Sequence, residues 1–552
     1  MRDYLRAARR YCDRVLTGDL PASELVRRAC QRQVDDLARK DFEFHFDERR
    51  ARAICSFIEK LPHVKGKWKS RDIKLEDWQC FVLTTVFGWV DAAGIRRYRK
   101  VYIEVPRKNA KTTISAGVGL YLLCADGEPG AEVYSAATTR DQARISWDIA
   151  RTQVKREPEL MSAFGVEPLA HSITIPSKAS FFKPLSRDAD SLEGLNVHGA
   201  IIDELHAHKT REVFDVLNSA TGSRRQPLIW AITTAGSNRA GVCYEQREYI
   251  KGVLSGRHED ERYFGIVYSL DPEDDWTQPE AWEKANPNFG VSVLKDDIAA
   301  MCAQARASAQ SQNNFLTKRL NVWVNAGTAF FNMLAWDACA DSGLCLSDFE
   351  GEPCWIFIDL ATKIDVAAKV YLFQRDGKFY AFGAYYLPED TVQPDNPNYD
   401  YYRGWANENK LTLTPGNVID FEFIETDLIE DAQRFNVREI GFDPWQATEL
   451  STRMLAAGLP MVAVPMTVQR LSEPMKKLEA CILQRRIAHN GDPVLSWMMS
   501  NVEARVDAKE NVYPRKARPE NKIDGAVALI GALSRAIVQE EAAIPGVRWL
   551  SA

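Results

Sequence analysis

The sequence predicts an α/β protein with two domains, each consisting of a β-sheet covered by helices. Three observations support this prediction. In residues 101–123, a short apolar run, a polar loop and a helical pattern follow one another. Residues 199–204 form a second apolar run that ends in two carboxylates. From residue 355 onward, three β-rich runs precede alternating helical and β-rich segments, an order typical of sheets covered by helices.

The composition indicates a globular protein without a membrane segment. The chain has 552 residues, of which 45% are hydrophobic and 26% are charged, and this length predicts two to four domains. No apolar run reaches about 18 residues and the N-terminus has no apolar stretch, so we expect neither a membrane span nor a signal peptide. The 11 cysteines form no Cys-x-x-Cys pair, which favours a reducing compartment. The net charge of −6 argues against a nucleic-acid coat protein but leaves room for a local basic groove.

Residues 105–112, Val-Pro-Arg-Lys-Asn-Ala-Lys-Thr, have the position and the ending of a phosphate-binding P-loop. In such a loop, backbone N–H groups and the next helix N-terminus surround the phosphates, the lysine reaches the β- and γ-phosphates, and the hydroxyl binds Mg²⁺. Val105 and Ala110 stand where the usual pattern has glycines, so the alternative is a basic surface loop above a buried helix. Thr112 would bind the Mg²⁺ of Mg-ATP. The predicted ATP-binding residues of this loop are Arg107, Lys108, Asn109, Ala110, Lys111 and Thr112.

Two further strands end in residues suited to ATP hydrolysis. The first ends at Asp203 and Glu204, the Walker B pattern, in which the aspartate holds Mg²⁺ and the glutamate activates the attacking water. The alternative for this pair is a strand that runs into an acidic turn. The second ends at Thr233 and Thr234, hydroxyls suited to sensing the γ-phosphate. Three strands that end in this chemistry, in this order, predict a RecA/ASCE-type P-loop ATPase domain.

Two other pairs of residues suggest contacts with the nucleotide. Trp78 and Gln79 lie upstream of the P-loop, where an amide can hydrogen-bond the adenine edge beside an aromatic ring. The alternative for Trp78 is a core residue. Arg140 and Arg144 begin a helix after the predicted strand 131–137, at an edge where α/β sheets place ligands. The alternative for these arginines is an ordinary exposed helix start.

The remaining patterns divide the chain into four segments. Residues 1–60 alternate charged and apolar residues at helical spacing and form an N-terminal helical region. Residues 61–254 are the ATPase core. Residues 255–330 are acidic and rich in turns before one long helix over about 295–320, and they form a lid or linker subdomain. Residues 331–552 form the second domain.

The second domain has the strand and helix order of ribonuclease H. Two of its first three strands flank the turn Arg-Asp-Gly-Lys at 375–378, and Asp-Gly between β-rich runs is a strong hairpin signal. In a ribonuclease H-like nuclease domain, carboxylates from the first strand, the fourth strand and the last helix converge on two metal ions. Asp359, Asp443 and Asp524 stand at these positions. Carboxylates are the ligands that Mg²⁺ and Mn²⁺ prefer, and two such ions stabilise the attacking and leaving oxygens in phosphodiester hydrolysis.

Two features near these carboxylates are less specific. Asp365 is predicted as an accessory metal ligand, although an ordinary loop carboxylate is an equal alternative. The basic segment 514–518, Pro-Arg-Lys-Ala-Arg, either contacts the DNA backbone or is a solvated loop.

Together, these motifs resemble the large terminase subunit of tailed bacteriophages, and the resemblance covers nearly the whole chain. It rests on the glycine-poor P-loop, on Asp203-Glu204 followed by Leu-His-Ala-His, and on Thr233-Thr234 followed by Ala-Gly. The segment that contains Trp78 and the polar stretch 187–195 also fit.

The resemblance implies a motor that drives double-stranded viral DNA into the procapsid with ATP and Mg²⁺. It also implies an endonuclease that cuts concatemeric DNA with two Mg²⁺ or Mn²⁺ ions at the start and the end of packaging. The family uses an arginine that reaches the ATP of a neighbouring subunit, and Arg140 is the first candidate here, with Arg144 second. The implied partners are the portal protein, the small terminase subunit and further copies of the chain in a ring of five. The implied location is the host cytoplasm.

Two other functions compete with this interpretation. A helicase-nuclease of DNA repair would require the motifs of a second RecA-like domain, which we do not find. A non-catalytic portal adaptor would carry only relic motifs, whereas the acidic residues of both sites are intact.

Overall fold

The computed structural model describes residues 2–68, 72–185, 194–208, 210–239, 241–324, 329–360, 365–445, 448–507 and 510–542. The chain divides into two compact units, Met1–Ala303 with Asn314–Val324 and Gln304–Asn313 with Asn325–Ala552. Among the described residues, no helix combines the length and the apolar character needed to cross a bilayer.

The first unit begins with the predicted helical region. Its elements are α1 (Tyr4–Thr17), α2 (Glu24–Ala38), β1 (Phe44–Phe46), α3 (Glu48–Glu59) and α4 (Asp77–Gly88). Helix α1 begins where the side chain of Asp3 accepts a hydrogen bond from the backbone N–H of Arg6, and it ends at Gly18 in the left-handed conformation, as helix caps commonly do. One apolar face of α1 is buried.

The ATPase core of this unit is an eight-stranded sheet. A short strand, β2 (Trp89–Asp91), precedes this sheet in the chain. The eight strands of the sheet are β3 (Lys100–Glu104), β4 (Glu132–Ala136), β5 (Glu167–Pro168), β6 (Ile173–Ile175), β7 (Ser180–Pro184), β8 (Gly199–Asp203), β9 (Leu228–Thr233) and β10 (Tyr263–Val267). The strand order is β10-β3-β9-β8-β4-β7-β6-β5. Strands β10 to β7 in this order are parallel, and β6 and β5 are antiparallel to their neighbours. Strand β2 pairs with β1 outside the sheet.

The strand order brings three predicted motifs to one edge. Helices α5 (Lys111–Cys124), α6 (Arg140–Arg156), α7 (Pro158–Phe164), α8 (Glu212–Ser219) and α9 (Val242–Leu254) connect the strands. Strand β9, which ends in the Thr-Thr pair, lies between the P-loop strand β3 and the Asp-Glu strand β8. Because parallel strands end at the same edge of a sheet, the residues that follow these three strands are neighbours.

The segment predicted as a lid differs from the prediction in two respects. Strand β10 lies after residue 255, yet it is fully buried and pairs with β3, so the sheet extends beyond the predicted boundary. The single long helix expected over 295–320 is two helices, which follow α10 (Pro279–Ala285). These are α11 (Lys295–Ala307) and α12 (Ala309–Arg319). The spacing of apolar residues in the sequence continues across Ser308, where the backbone helix is interrupted, so the sequence pattern does not predict the break.

The second unit has the predicted ribonuclease H-like order. Its elements are α13 (Met333–Asp337), β11 (Pro353–Asp359), β12 (Ala367–Arg375), β13 (Lys378–Pro388), α14 (Tyr399–Asn407), β14 (Thr412–Thr414), α15 (Phe421–Arg434), β15 (Asn436–Phe442), α16 (Thr448–Ala456), β16 (Met461–Ala463), α17 (Val468–Leu483), β17 (Ile487–His489), α18 (Pro493–Ser500), β18 (Val502–Val506), β19 (Val512–Lys516) and α19 (Asp524–Ala542). The order of the sheet is β14-β13-β12-β11-β15-β16, and β17 pairs with β13.

The first three strands of this sheet form the antiparallel set that the sequence predicts. Strand β11 pairs antiparallel with β12, and β12 pairs antiparallel with β13. Asp376 and Gly377 both have positive φ at the turn, 50° and 72°, which matches the twist of a tight hairpin. The fourth strand, β15, is parallel to β11. The basic segment 514–518 is not simply a loop, because its first half belongs to β19 in a hairpin with β18.

Glycines allow the last helix to approach the first strand of this sheet. A Cβ atom at Gly531 would lie 2.5 Å from Phe357 Cδ2, and a Cβ atom at Gly441 would lie 2.5 Å from the same atom. The Phe357 ring therefore packs between α19 and β15 only because both positions lack a side chain. This close packing sets the position of α19, whose first residue is Asp524.

Candidate active sites

The P-loop is built in a strained conformation without glycine. Lys108 and Ala110 have φ of 73° and 59°, in the left-handed region that glycine occupies most easily. Ala110 stands at one of the two glycine positions of the usual pattern, and its positive φ shows why glycine is favoured there. Lys111 is the first residue of α5, where its buried Nζ donates to the Val105 carbonyl at 3.1 Å. Burial lowers the pKa of Lys111.

The buried side chain of Asn109 stabilises this conformation. Its Nδ2 lies 3.1 Å from the Pro106 carbonyl and 2.9 Å from Asn286 Oδ1. Its Oδ1 accepts the backbone N–H of Asn288 at 2.9 Å. Asn286 and Asn288 belong to the segment predicted as a lid, and the sequence patterns gave no sign that they contact the P-loop. The other loop residues differ in exposure, since Arg107 and Lys108 are exposed and Thr112 is half-buried in the first turn of α5.

Asp203 is the last residue of β8, and one of its two carboxylate oxygens accepts a hydrogen bond. Its Oδ2 accepts a hydrogen bond from Ser146 Oγ at 3.1 Å, while Oδ1 is buried and has no hydrogen-bond partner among the described residues. Burial and then the charge of Glu204 raise the pKa of Asp203 to about 6. An unpaired buried carboxylate oxygen beside the P-loop fits a hard divalent cation such as Mg²⁺.

Glu204 lies directly after β8 and faces both the P-loop lysine and the Thr-Thr pair. Its φ is 52°, its Oε1 is 3.9 Å from Lys111 Nζ, and its Oε2 accepts from Thr234 Oγ1 at 3.3 Å. Burial alone would raise the pKa of Glu204, but the hydrogen bond with His206 and the charge of Lys111 hold it at about 2. The carboxylate is therefore ionised at neutral pH. The structure thus brings together the three predicted motifs of the motor.

The two predicted adenine-contacting residues have different positions. Trp78 is only 2% exposed, and its Nε1 donates to Asn288 Oδ1 at 2.6 Å. It therefore offers no free face for stacking and instead supports the residue that holds the P-loop, in line with the core alternative. Gln79 Oε1 accepts the backbone N–H of Glu76 at 2.8 Å, and Gln79 also lines a cavity beside Ala110.

This cavity has a volume of about 500 Å³ and lies next to the P-loop. His63 and Trp68 line it, and their rings stack with centroids 5.9 Å apart. Two aromatic rings at a cavity wall offer the apolar surface that a base requires. They precede the Trp-Gln pair in the chain, and no motif in the sequence singles them out.

The candidate arginines lie on α6. Arg140 is its first residue, after Thr139, whose Oγ1 accepts the backbone N–H of Gln142 at 3.2 Å. The side chain of Arg140 lies outside the described part of the structure. Arg144 Nε is 3.9 Å from Asp148 Oδ2 on the same helix. Most of the polar stretch 187–195 also lies outside the described residues.

In the second unit, three predicted carboxylates occupy neighbouring positions. Asp359 ends β11, Asp443 follows the adjacent parallel strand β15, and Asp524 begins α19. Burial and the charges of Asp524, Asp443 and Asp365 raise the pKa of Asp359 well above its usual range. Burial and then Asp365 raise the pKa of Asp524 to about 6. Like charges raise the pKa of a carboxylate when they are near it, so these side chains are neighbours.

Asp359, Asp443 and Asp524 lie in the same region, but their side chains are not arranged as a ready-made metal site. Within the described residues, no three His, Cys, Asp or Glu side chains are already arranged as a complete metal-ligand set. Asp524 Oδ2 is nevertheless buried with no hydrogen-bond partner among them. Buried, mutually repelling carboxylate oxygens fit divalent cations, because a cation removes the cost of their negative charge.

Asp365 differs from the other three carboxylates. Its Oδ1 lies 2.6 Å from Lys522 Nζ, and its Oδ2 lies 3.3 Å from Lys516 Nζ. Burial opposes ionisation, but these two lysines lower the pKa of Asp365. Both oxygens are thus engaged by lysines, so the accessory-ligand role requires at least one ion pair to open. Lys516, from the basic segment 514–518, therefore lies close to the predicted metal-binding carboxylates.

Two known family descriptions match successive parts of this chain. Residues 77–252 match the family described as terminase large subunit, ATPase domain. Residues 257–540 match the family described as terminase large subunit, endonuclease domain. The chain belongs to the large terminase subunit family. The protein is thus an ATPase and an endonuclease that packages and cuts viral DNA, and nothing favours a repair helicase-nuclease or a non-catalytic adaptor.

Individual relatives extend over most of this large terminase. It is 38% identical over 365 residues to protein YmfN of Escherichia coli K12, which covers 63% of this chain and 79% of that protein. It is 25% identical over 506 residues to the large terminase subunit of Enterobacteria phage HK97, which covers 89% of this chain and 97% of the relative. The crystal structure of the HK97 large terminase has 24% identity and a TM-score of 0.44, and it covers 88% of this chain and 99% of that one.

The pKa of Asp524 gives the nuclease a characteristic pH dependence. In the folded terminase this pKa is about 6, above its value of roughly 3.9 in an unfolded chain. The folded form therefore binds more protons, and its stability falls as pH rises through about 6. We expect the melting temperature of the nuclease transition in EDTA to be lower at about pH 7.5 than at about pH 5, and Mg²⁺ to raise it at the higher pH.

Differential scanning calorimetry in EDTA and in Mg²⁺ would measure this dependence. Asp524→Asn should flatten the pH profile in EDTA and reduce the stabilisation by Mg²⁺. The matched control is Asp400→Asn, because Asp400 is exposed in α14. A profile of Asp524→Asn identical to that of the wild type would show that Asp524 is not the titrating group.

Proposed function

We propose that this terminase hydrolyses ATP with Mg²⁺ at the edge of the first sheet and cuts DNA with two Mg²⁺ or Mn²⁺ ions in the second unit. The observation that carries the proposal for the motor is the proximity of Lys111, Glu204 and Thr234. Lys111 and the backbone of the P-loop bind the phosphates. Asp203 and Thr112 hold the Mg²⁺, and the adenine base occupies the cavity beside Gln79, His63 and Trp68.

Glu204 serves as the group that orients and activates the attacking water. Two features support this role. Its carboxylate is ionised, because its pKa is about 2, so it can accept a hydrogen bond from water at any working pH. Thr234 donates a hydrogen bond to the same carboxylate, so a displacement of Glu204 would change the contacts of the residue that follows β9. Thr233 and Thr234 would in this way couple hydrolysis to movement of the DNA.

In the nuclease, Asp359, Asp443 and Asp524 would hold the metal ions, and Asp365 would be an accessory ligand. Two bound divalent cations stabilise both the attacking and the leaving oxygen of a phosphodiester. Lys516 and Lys522, which pair with Asp365, are available to contact DNA phosphates once that carboxylate turns away. Trp445 is 90% exposed, and its backbone N–H donates to Asp443 Oδ1 at 3.2 Å. An exposed aromatic ring beside a proposed ligand supports a role in contacting the DNA.

The proposal extends to the assembly. The terminase would act in the host cytoplasm as a ring of five copies on the portal protein of the procapsid, and the small terminase subunit would select the viral DNA. Arg140 would reach the ATP of the neighbouring copy, with Arg144 as the second candidate. The position of Arg140 at the start of α6, directly after β4 of the ATPase sheet, supports a role at the rim of the nucleotide site.

A mixing experiment tests the arrangement in trans. Arg140→Ala and Glu204→Gln should each be inactive in ATP-driven packaging into procapsids. In mixed rings, however, an Arg140→Ala subunit next to a Glu204→Gln subunit has its own glutamate and receives an arginine from its neighbour. We therefore expect mixing to restore part of the ATPase activity. Arg144→Ala, one helical turn further along α6, tests the second candidate and should retain activity if Arg140 is the arginine that acts in trans. Failure of every mixture to recover activity would assign the arginine to its own subunit's site or to none.

A further inference from the structure

His206 and Lys318 form a chain of contacts that ends at the Glu204 carboxylate. His206 Nδ1 is 3.2 Å from Glu204 Oε2, and His206 Nε2 is 2.9 Å from Lys318 Nζ. His206 belongs to the short turn after Glu204, and Lys318 lies near the C-terminal end of α12. The motor roles given above do not use either residue.

The hydrogens in this chain have one consistent arrangement. His206 Nδ1 is 3.2 Å from both Glu204 Oε2 and Thr233 Oγ1, and it donates to the carboxylate, which is the stronger acceptor of the two. Burial lowers the pKa of His206, so the ring is neutral and its Nε2 accepts a hydrogen bond from the Lys318 ammonium. Burial and then Arg107 lower the pKa of Lys318 to about 8, which leaves it mostly charged at neutral pH. Lysine therefore fixes the tautomer that histidine needs to hold the glutamate.

Both members of the pair are anchored independently. The backbone N–H of His206 donates to Thr233 Oγ1 at 3.0 Å, and a Cβ atom at Gly236 would lie 3.2 Å from the His206 ring. The carbonyl of Lys318 accepts the backbone N–H of the P-loop residue Arg107 at 2.9 Å. The end of α12 is thus tied to the P-loop by its main chain and to Glu204 by its side chain.

The alternative position of Glu204 explains why such a pair is needed. Lys111 Nζ is only 3.9 Å from Glu204 Oε1, and a closer ion pair would occupy both the phosphate-binding lysine and the water-activating carboxylate. His206 and Thr234 both hold the other oxygen, Oε2. They restrain the carboxylate from closing onto Lys111.

We propose that His206 and Lys318 are positioning residues that hold Glu204 in its hydrolytic orientation and make that orientation depend on where the end of α12 lies relative to the P-loop. This rests on the proposed role of Glu204 in activating water. A shift of α12 that withdraws Lys318 releases His206, and Glu204 then turns toward Lys111. Hydrolysis would proceed only while α12 is in place.

The test compares the steady-state ATPase kinetics of the full chain in four variants under one set of conditions. Lys318→Met and His206→Phe keep the approximate volume and remove the hydrogen bonds. We expect kcat to fall about 10- to 100-fold in each, up to the lower limit of about 100-fold for loss of a general base itself, while KM for ATP changes less than about two-fold. Lys318→Arg should recover much of the loss. The double variant His206→Phe/Lys318→Met should be no worse than either single variant, because the two act as a unit.

Controls separate this proposal from a structural role and from the role of Glu204. Lys295→Met removes an exposed lysine at the start of α11 and should leave kcat unchanged. If Lys318→Met raises KM as much as it lowers kcat, or if Lys318→Arg is as impaired as Lys318→Met, the pair only supports the fold. If Glu204→Gln is inactive while Lys318→Met has normal kcat, the positioning role of His206 and Lys318 is wrong, whereas the proposed role of Glu204 in activating water is retained. If Glu204→Gln hydrolyses ATP normally, the role of Glu204 itself fails. If Lys318→Met lowers the melting temperature by several degrees, the kcat and KM values of Lys318→Arg and His206→Asn replace those of Lys318→Met as the test of the positioning role.

Discussion

Cleavage of plasmid DNA in Mn²⁺ is expected to fall about 10³-fold or more when Asp359, Asp443 or Asp524 is changed to asparagine, since the lost metal ligand supplies several kcal/mol of transition-state stabilisation. Asparagine keeps the size of the side chain and removes its charge. Burial and then repulsion between the carboxylates raise the pKa of Asp359 and of Asp524, so Asp359→Asn and Asp524→Asn should also stabilise the metal-free protein. A loss of activity together with a gain in stability distinguishes a ligand from a residue that only supports the fold.

Gel analysis of supercoiled plasmid and calorimetry of the same preparations would check both effects. Asp400→Asn serves again as the exposed control. Asp365→Asn should have a smaller effect on cutting, because both of its oxygens are engaged by Lys522 and Lys516. Undiminished cutting by any one of the three main variants would remove that residue from the site. If the wild type does not cut, the comparison should be repeated with the small subunit and procapsids present.

The second large effect concerns the motor. Lys111→Ala should reduce ATPase activity about 10³-fold, the upper range for loss of one group that stabilises transition-state charge, and it should also weaken binding of a fluorescent ATP analogue. Glu204→Gln should reduce hydrolysis to a similar extent but leave binding of the analogue nearly unchanged, because Glu204 contacts the water rather than the phosphates.

The contrast between these two variants is the informative result. Lys178→Ala removes an exposed lysine in the turn before β7 and should change neither binding nor hydrolysis. Equal loss of binding in Lys111→Ala and Glu204→Gln would mean that Glu204 supports the loop instead of activating water. Normal binding by Lys111→Ala would place the phosphates elsewhere than in this P-loop.

Much of the motor could be predicted because its chemistry follows short buried strands. An apolar run that ends in Asp-Glu or Thr-Thr indicates both the strand and the residues at its end, and parallel strands bring these ends to one edge. The hairpin at Asp376 and the position of Asp524 at the start of the last helix were predictable for similar local reasons. In each case the signal lies within a few residues of the feature.

The contacts that hold these groups in place could not be predicted from local patterns. Asn109 bonds to Asn286 across 177 residues of sequence, and His206 contacts Lys318 across 112. An asparagine, a histidine or a lysine has the same local appearance whether it is solvated or buried against a distant partner. Trp78 illustrates the converse, because an aromatic residue beside a glutamine resembles a base-binding pair until packing shows that its ring is enclosed.

For this terminase, the sequence by itself predicted the two fold classes and the carboxylates, lysine and hydroxyls at the ends of the core strands. These follow from apolar periodicity and from the few residue types that bind phosphate or metal. Only the tertiary structure decided that the predicted lid segment contacts the P-loop, that His206 lies between Glu204 and Lys318, and that lysines engage Asp365. Hydrogen bonds between distant segments require the folded chain, because they depend on distances and on burial that no local pattern encodes.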